Sequence, residues 1–523
     1  MAMKGHLFIL RGDLKRLHCD AWLVPCGRSL KVEDYWMDGL PDLARNARGQ
    51  LQVSTLPDGW QEGELRTFPL DEPPLEGRGW PWLTNVGYRA ELQMHSQPGK
   101  MTAWFTEGLL AFVREWTRHP TPRMTKRRLP LLAVPLVGAG RGGGQRMEGE
   151  LVKSHVRALL KAVEEHQLDI VLVTYSEQAF TAAQEARKVL RSGSWPLASG
   201  LLSLGRLLAD KARHQDLVLF LGAGVSRGVG LPDWRQLLTE LMETAGMTAE
   251  ESRAANQLGL LDQARIVQRR LQRAGIDLTR SLVERFHVSQ YGLVHALLAG
   301  LSVRESVTTN YDPLFEVASR ACGHKLAVLP YAPTSGCTRW LLKLHGCVEH
   351  PEDIVLTRED YLRYSNNRAA LAGIVQTLLL TKHMLFVGFS LNDDNFLRIV
   401  DDVRRALRRE EEQPFGTALL LTCDPMLREL WEGELDLVSL SEDLESEECA
   451  PRRLEIFLDF LLAESICHTS YLLRPHFEGA LSKSERALRQ ALLKWLEDLP
   501  PLARQAPAFA QLEQALERLG YLP

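Results

Sequence analysis

The sequence lacks three features that mark other classes of protein. Its eight cysteines are scattered, and no two of them form a C-x-x-C pair, so neither a four-cysteine zinc ribbon nor a disulfide scaffold is expected. No N-terminal signal pattern and no apolar run of about 18 residues occurs. The formal net charge is −4, which leaves no general basic excess to bind nucleic-acid phosphates. We therefore expect a cytoplasmic protein with no nucleic-acid or membrane partner.

The length indicates several domains. With about 150 residues per domain as a prior, 523 residues suggest two to four domains. The segment 191–196, RSGSWP, has the composition of a linker. We predict three regions: an α/β domain at 1–195, a second α/β domain at 200–425, and a helical region at 426–523 for packing or oligomerisation.

The most informative stretch is 216–234, DLVLFLGAGVSRGVGLPDW. An apolar strand at 217–220 runs into a turn made of Gly222, Ala223 and Gly224. Glycines let backbone N–H groups approach a diphosphate, which is typical of a nucleotide-binding loop. The dehydrogenase pattern G-x-G-x-x-G is not met, because Arg227 takes the place of its third glycine.

Three later strands end in polar motifs. The run 306–312, SVTTNYD, carries Asn310 and Asp312; the run 342–346, LKLHG, carries His345; and the strand 383–387 ends in Gly388-Phe389-Ser390. An amide can orient a ribose or a water, and a neutral imidazole can accept a proton near pH 7. Structural readings exist for each motif, such as an Asx turn at Asn310 or a helix N-cap at 392–394.

Taken in order, these motifs resemble those of the sirtuins and, more closely, of bacterial sirtuin-like NAD hydrolases. The resemblance implies a Rossmann-type parallel-sheet domain with a helical insertion at 234–301, with Asn310 and His345 as the catalytic residues. The residues implied to bind NAD are Gly222, Ala223, Gly224, Ser226, Asp233, Trp234, Asp312, Gly388 and Ser390. Only Cys347 follows the histidine where a sirtuin deacetylase has its zinc ribbon, so no metal is expected and water becomes the acceptor.

The first 190 residues resemble a macro domain, a fold that binds ADP-ribose. The resemblance lies in the turn 11–14, RGDL, the strand 20–25, DAWLVP, and the late glycine loop 138–144, GAGRGGG. It implies that Asp13 holds the adenine and that Gly138, Gly140 and Gly142 surround the diphosphate. The family's N-A-A-N motif is replaced by Pro25-Cys26-Gly27-Arg28, which favours ligand sensing over hydrolysis. The loop 138–144 also fits a flexible surface loop.

These resemblances predict an enzyme that hydrolyses NAD to nicotinamide and ADP-ribose. Since unrestrained hydrolysis would deplete the cell of NAD, we expect a regulated effector of antiphage defence. A nucleotide-type signal at the macro-like domain, or assembly into a homo-oligomer, could regulate it. Two alternatives stay open: an NAD-dependent protein deacylase or ADP-ribosyltransferase, and a sensor that binds NAD or ADP-ribose without turnover.

Overall fold

The chain folds into two compact units. The computed structural model describes residues 3–87, 98–140, 145–191, 193–406, 414–442, 446–466 and 469–522. One unit comprises Met1–Pro196 together with Ile466–Pro523, and the other comprises Leu197–Ser465. Each is an α/β structure built on a largely parallel sheet, which confirms the predicted fold class.

The first unit contains a six-stranded sheet. Its strands are β1 (Leu7–Arg11), β2 (Ala21–Cys26), β3 (Thr67–Pro69), β4 (Trp80–Asn85), β5 (Leu131–Pro135) and β6 (Asp169–Thr174). The order is β1-β6-β5-β2-β4-β3, and only the pairing of β3 with β4 is antiparallel. Every residue of β5 and β6 is buried, as expected for parallel strands that helices cover on both faces.

Four helices connect the strands of this sheet or follow them. They are α1 (Asp34–Met37), α2 (Pro98–Arg118), α3 (Glu148–Glu165) and α4 (Glu177–Arg191). The apolar residues of α3 recur every three or four positions, and those on one side, such as Val152, Val156 and Leu159, are buried. The sequence pattern of an amphipathic helix at 148–165 therefore corresponds to a packed helix.

The second unit contains a seven-stranded sheet, all of whose pairs are parallel. Its strands are β7 (Leu217–Leu221), β8 (Glu305–Thr308), β9 (Leu326–Leu329), β10 (Arg339–Lys343), β11 (His383–Val387), β12 (Gly416–Leu420) and β13 (Leu435–Ser439). The order is β13-β12-β11-β7-β8-β10-β9. The chain thus runs from β7 to β8 on one side and returns through β11 on the other. Such a reversal opens a crevice at the carboxyl ends of the strands, where α/β sheets bind ligands.

Twelve helices belong to the described part of this unit. They are α5 (Ser199–Arg213), α6 (Trp234–Thr244), α7 (Ala249–Ala255), α8 (Leu260–Arg273), α9 (Leu278–Phe286), α10 (Leu293–Gly300), α11 (Leu314–Ala321), α12 (Arg358–Asn367), α13 (Ala369–Thr381), α14 (Asp394–Ala406), α15 (Pro425–Leu430) and α16 (Ala450–Ser465). Helices α6 to α10 form the insertion predicted at 234–301.

The region 426–523 is not uniformly helical. Strand β13 lies within it, where Leu435, Leu437 and Ser439 alternate with more exposed residues. This strand, α15 and α16 lie in the second unit, whereas the helices that follow them lie in the first. Those helices are α17 (Lys483–Asp498), α18 (Pro501–Arg504) and α19 (Pro507–Arg518). No helix in the described part of the chain combines the length and apolar character needed to cross a membrane.

An aromatic cluster fixes the loop that follows β11. The ring of Phe389, in this loop, lies 4.6 Å from the ring of Phe220 on β7 and 5.2 Å from that of Phe396 on α14, centroid to centroid. All three side chains are buried. Aromatic pairs at these separations add stability beyond the area that they bury. The cluster therefore holds the β11 loop against the β7 loop, where the predicted site lies.

Candidate active site

The glycine loop after β7 is in backbone contact with the loop after β11. Gly222 N donates to Val387 O at 3.0 Å, and Gly224 N donates to Gly388 O at 2.9 Å. A Cβ atom at Gly222 would lie 2.4 Å from Gly388 O, and one at Gly224 would lie 2.7 Å from Gly388 Cα. Gly388 itself has a φ of +64°, which favours glycine. Glycine is therefore required at Gly222 and Gly224 because a side chain there would clash with the backbone of the β11 loop.

Asn310 lies just beyond the end of β8 and contacts the glycine loop. Its Nδ2 donates to Gly222 O at 3.1 Å and to Ser226 Oγ at 3.3 Å. Its Oδ1 is buried and has no hydrogen-bond partner. Because both contacts of Nδ2 are to acceptors, they fix the orientation of the amide. The loop thus presents a buried acceptor oxygen without a protein donor.

A buried network around Ser226 supports Asn310. Ser226 Oγ donates to Asp312 Oδ2 at 2.9 Å and lies 3.2 Å from His295 Nε2. His295 Nδ1 accepts from Gly292 N, so Nε2 carries the proton and donates to Ser226. Burial lowers the pKa of His295 to about 4, against the opposing effect of Asp312. The imidazole is therefore neutral at pH 7.

Sequence reasoning missed His295. It lies 69 residues from Ser226 along the chain, at the third position of α10. The segment 290–300, QYGLVHALLAG, looks like an ordinary apolar helix with one histidine. Its burial at 1% exposure, with both nitrogens in hydrogen bonds, marks it as part of the site. The one signal in the sequence was a histidine on the apolar face of a helix.

His345 follows β10, the neighbour of β8 in the sheet. Lys343 pairs with Thr308 in the register of these strands, and both Asn310 and His345 lie two residues further on. The imidazole is 2% exposed, and its Nε2 has no hydrogen-bond partner. Burial lowers the pKa of His345; Asp393 opposes this effect, and Arg368 adds to it. His345 is thus a neutral, buried base at physiological pH.

A buried ion pair lies below the two catalytic candidates. Lys343 Nζ lies 2.7 Å from Glu316 Oε1, and the two side chains are 0% and 1% exposed. Lys343 Nζ also donates to Asp312 O at 2.6 Å. Burial opposes the charge of Lys343, but the carboxylate of Glu316 keeps its pKa above the usual value. The pair ties β10 to α11 and to the loop that carries Asn310.

The other predicted NAD-binding residues lie on the same strand-end loops or begin α6. Asp233 is the N-cap of α6 and accepts from Gln236 N at 3.0 Å. Trp234 has a buried Nε1 without a partner, and its ring lies 6.3 Å from that of Tyr361. Ala223 belongs to the short 3-10 helix after Gly222, and Ser390 is exposed. The unpartnered indole N–H makes Trp234 the strongest of these four as a ligand contact.

The residues predicted to bind a ligand in the first unit lie at the carboxyl ends of its strands. Asp13 follows β1, and its Oδ1 accepts from Lys15 N and from Tyr35 Oη, both at 3.1 Å. Gly138 has a φ of +88°, and a Cβ atom there would lie 2.6 Å from the ring of Phe105. A Cβ atom at Gly140 would meet nothing within 4 Å. Gly142 lies outside the described residues. Asp13 is therefore already hydrogen-bonded within the protein.

The second unit has the features of a site for chemistry on a hydroxylated substrate. An amide oxygen and a neutral imidazole, both buried, lie at the ends of adjacent strands. Buried polar atoms are normally satisfied by hydrogen bonds, so a ligand or water is expected to pair with these two. Within the described residues, no group of three or more histidine, cysteine or carboxylate side chains could hold a metal ion. The arrangement suits hydrogen bonding to hydroxyls or water and acceptance of a proton.

Comparison with known proteins agrees with the geometry of the second unit. Residues 304–435 match a family described as the SIR2-like domain, which confirms the predicted resemblance for this part of the chain. The NAD(+) hydrolase ThsA of Bacillus cereus (strain MSX-D12) is 30% identical over 210 residues, which is 39% of this chain and 43% of that protein. Defense-associated sirtuin 2 of Bacillus subtilis is 26% identical over 216 residues, 40% of this chain and 21% of that protein.

These matches are partial. The chain spans less than half the length of each of these two relatives. Among solved structures, a macrodomain of Oceanobacillus iheyensis aligns with 37% of this chain and 97% of its own length, at 15% identity and a TM-score of 0.26.

Proposed function

We propose that the second unit hydrolyses NAD to nicotinamide and ADP-ribose. The observation that carries this proposal is the pair of buried, unpartnered atoms, Asn310 Oδ1 and His345 Nε2, beyond the ends of adjacent strands. The likeness of residues 304–435 to SIR2-like domains, and the name of the Bacillus cereus relative, support NAD as the substrate.

The residues suggest how the reaction proceeds. Cleavage of the glycosidic bond sends its electron pair to nicotinamide and leaves an oxocarbenium-like ribose. Asn310 Oδ1 accepts a hydrogen bond from a ribose hydroxyl or from the attacking water, in an orientation that Gly222 O and Ser226 Oγ fix. His345 accepts the proton of the attacking water or of a ribose hydroxyl. Water completes the reaction at the anomeric carbon.

The first unit is proposed to sense a nucleotide-type signal. Its predicted ligand residues follow parallel strands, where such ligands bind. The name of the Bacillus subtilis relative associates it with defence, and depletion of NAD would suit an antiphage effector. We propose that a signal or self-assembly controls turnover, because constitutive hydrolysis would harm the cell.

Nicotinamide release from NAD by the purified full-length protein tests this function. Wild type is compared with Asn310→Ala and His345→Ala, each expected to reduce kcat by at least about 100-fold, the range for loss of a general base or an orienting group. His214→Ala is the matched control, because this side chain is 67% exposed at the C-terminal cap of α5. Ser226→Ala, which loosens Asn310, should give an intermediate loss.

The outcomes separate the alternatives. Equal rates in wild type, Asn310→Ala and His345→Ala would refute the site. NAD binding by calorimetry without any nicotinamide release would favour a sensor. Nicotinamide release that requires an acylated or nucleophilic protein would favour a deacylase or an ADP-ribosyltransferase.

A further inference from the structure

A carboxylate faces the imidazole of His345. Asp393 lies in the loop between β11 and α14, and its Oδ2 is 3.6 Å from His345 Nε2. The same oxygen accepts from Tyr361 Oη at 2.7 Å, while Oδ1 accepts from Phe396 N at 2.9 Å as a helix N-cap. The side chain of Asp393 is 14% exposed and that of His345 is 2% exposed. One oxygen thus caps α14, and the other is fixed by a tyrosine beside the imidazole.

We propose that Asp393 is a positioning residue for the reaction: its carboxylate, 3.6 Å from His345 Nε2, stabilises the imidazolium that forms when His345 takes a proton, while Tyr361 holds the carboxylate in place. This inference rests on the proposed NAD hydrolysis. In the sequence alone, the acidic run 392–394 indicates only a helix N-cap. The contacts give Asp393 a second task that its position in the sequence does not reveal.

The charge balance around His345 depends on Asp393. The charged and titratable groups that face it are Asp393, Arg368 from the segment between α12 and α13, and the phenols of Tyr361 and Tyr364 on α12. Burial raises the pKa of both phenols, so they stay neutral. Since Arg368 disfavours a second positive charge nearby, Asp393 is the one described group of this set that favours imidazolium.

The step balances without another reactant. The O–H bond of water or of a ribose hydroxyl breaks, and its proton moves to the imidazole lone pair. The oxygen keeps the electron pair and forms or supports the new bond at the anomeric carbon. The carboxylate of Asp393 lies beside the imidazolium that results. The separation of 3.6 Å is longer than a hydrogen bond, as is common for catalytic contacts without substrate.

The decisive variant is Asp393→Asn. Asparagine caps helices as well as aspartate does, so α14 keeps its cap while the charge is lost. We expect kcat to fall about 10-fold or more with little change in KM, because the lost interaction belongs to the transition state. We also expect the acid limb of kcat/KM to move to lower pH by about 1 unit, because a nearby carboxylate raises the pKa of an imidazole by that order.

The controls separate charge from fold. Asp394→Asn removes the same charge from the adjacent, exposed residue and should leave both kcat and the acid limb unchanged. Tyr361→Phe should lower kcat less than Asp393→Asn, because it removes only the hydrogen bond that orients Asp393. Initial rates are taken directly after a jump from pH 7.5 to values between about 4.5 and 8.5, so that slow acid unfolding does not enter.

Two results would overturn the inference. One is an Asp393→Asn enzyme within twofold of wild type in kcat. The other is a fall in kcat with no shift of the acid limb relative to Asp394→Asn, which would indicate a structural role. Failure of the underlying function looks different, since wild type itself would then release no nicotinamide. An active wild type with an unaffected Asp393→Asn would reject only the role of Asp393.

Discussion

The two units use the same kind of sheet but treat the polar residues at its edge differently. In the second unit, Asn310 Oδ1 and His345 Nε2 are buried without partners, while a network and an ion pair fix the groups around them. In the first unit, Asp13 is partly exposed and already accepts two hydrogen bonds within the protein. The second edge thus leaves two buried polar atoms without a protein partner, whereas the carboxylate of Asp13 at the first edge is already hydrogen-bonded.

The largest difference in stability between the units is expected when one partner of an ion pair is removed. Lys343→Met leaves Glu316 buried without its partner and should lower the stability of the second unit by about 3–5 kcal/mol. Lys161→Met breaks an exposed pair with Glu165 in the first unit and should change stability by about 0–1 kcal/mol. Urea unfolding followed by hydrogen exchange, which reports on each unit separately, measures both.

The double variant Lys343→Met/Glu316→Met should recover much of the loss. Equal effects of the two single variants would break the comparison.

The second-largest difference is expected when a glycine at each sheet edge is replaced by alanine. Gly222→Ala places a Cβ atom 2.4 Å from Gly388 O, so two loops must separate, at about 1–3 kcal/mol, with loss of NAD turnover. Gly140→Ala meets nothing within 4 Å and should change neither stability nor turnover by a measurable amount. Thermal unfolding and the nicotinamide assay test the pair. A tolerated Gly222→Ala would show that the loops can move apart freely.

Lowering the pH is expected to destabilise both units, because each contains a buried histidine with a lowered pKa. Burial lowers the pKa of His295 in the second unit to about 4 and that of His155 in the first to about 3, against about 6.5 in the unfolded chain. The unfolded state therefore binds more protons below pH 6.5, and each histidine removes about 1.4 kcal/mol of stability per pH unit as pH falls toward its folded pKa. Urea unfolding between about pH 7 and 5 measures the slope. His155→Leu and His295→Leu should each flatten it in their own unit, and an unchanged slope in both would contradict the assignment.

The smallest effect is expected at Asp13. Asp13→Ala removes an N-cap and the contact with Tyr35, at about 1 kcal/mol, while Asp13→Asn keeps the cap. If Asp13 holds an adenine, both variants should weaken ADP-ribose binding by calorimetry, and only the alanine variant should lower the melting temperature. Wild-type affinity in both variants would remove Asp13 from the ligand site.

The sequence identified individual candidate residues of the site, but not the contacts between them. Asn310 and His345 could be singled out because each follows a short apolar strand and stands in a motif whose order resembles a known family. The contacts of His295 with Ser226, of Lys343 with Glu316 and of Asp393 with His345 could not, because they join residues separated by 69, 27 and 48 positions. Such pairings depend on the strand order, which local patterns do not determine.

The helical reading of 426–523 shows a second limit. Apolar residues recur at helical spacing at 454–463 and 485–496, and α16 and α17 lie there. The five-residue strand β13 was missed, because a short alternation at the edge of a sheet carries little signal beside long helices. Amphipathic spacing also does not show against which hydrophobic core a helix packs. The assignment of α16 and α17 to different units could therefore not be predicted from the sequence.

The return of the chain to its first unit means that the second unit is an insertion, held at both ends. A polypeptide cut after Ser465 would keep Asn310 and His345 and yet lose Leu473, Leu496 and Leu516, which form a small apolar cluster in the other unit. A truncation of the C-terminal tail is therefore expected to destabilise the first unit, although every strand of the second unit stays in the chain.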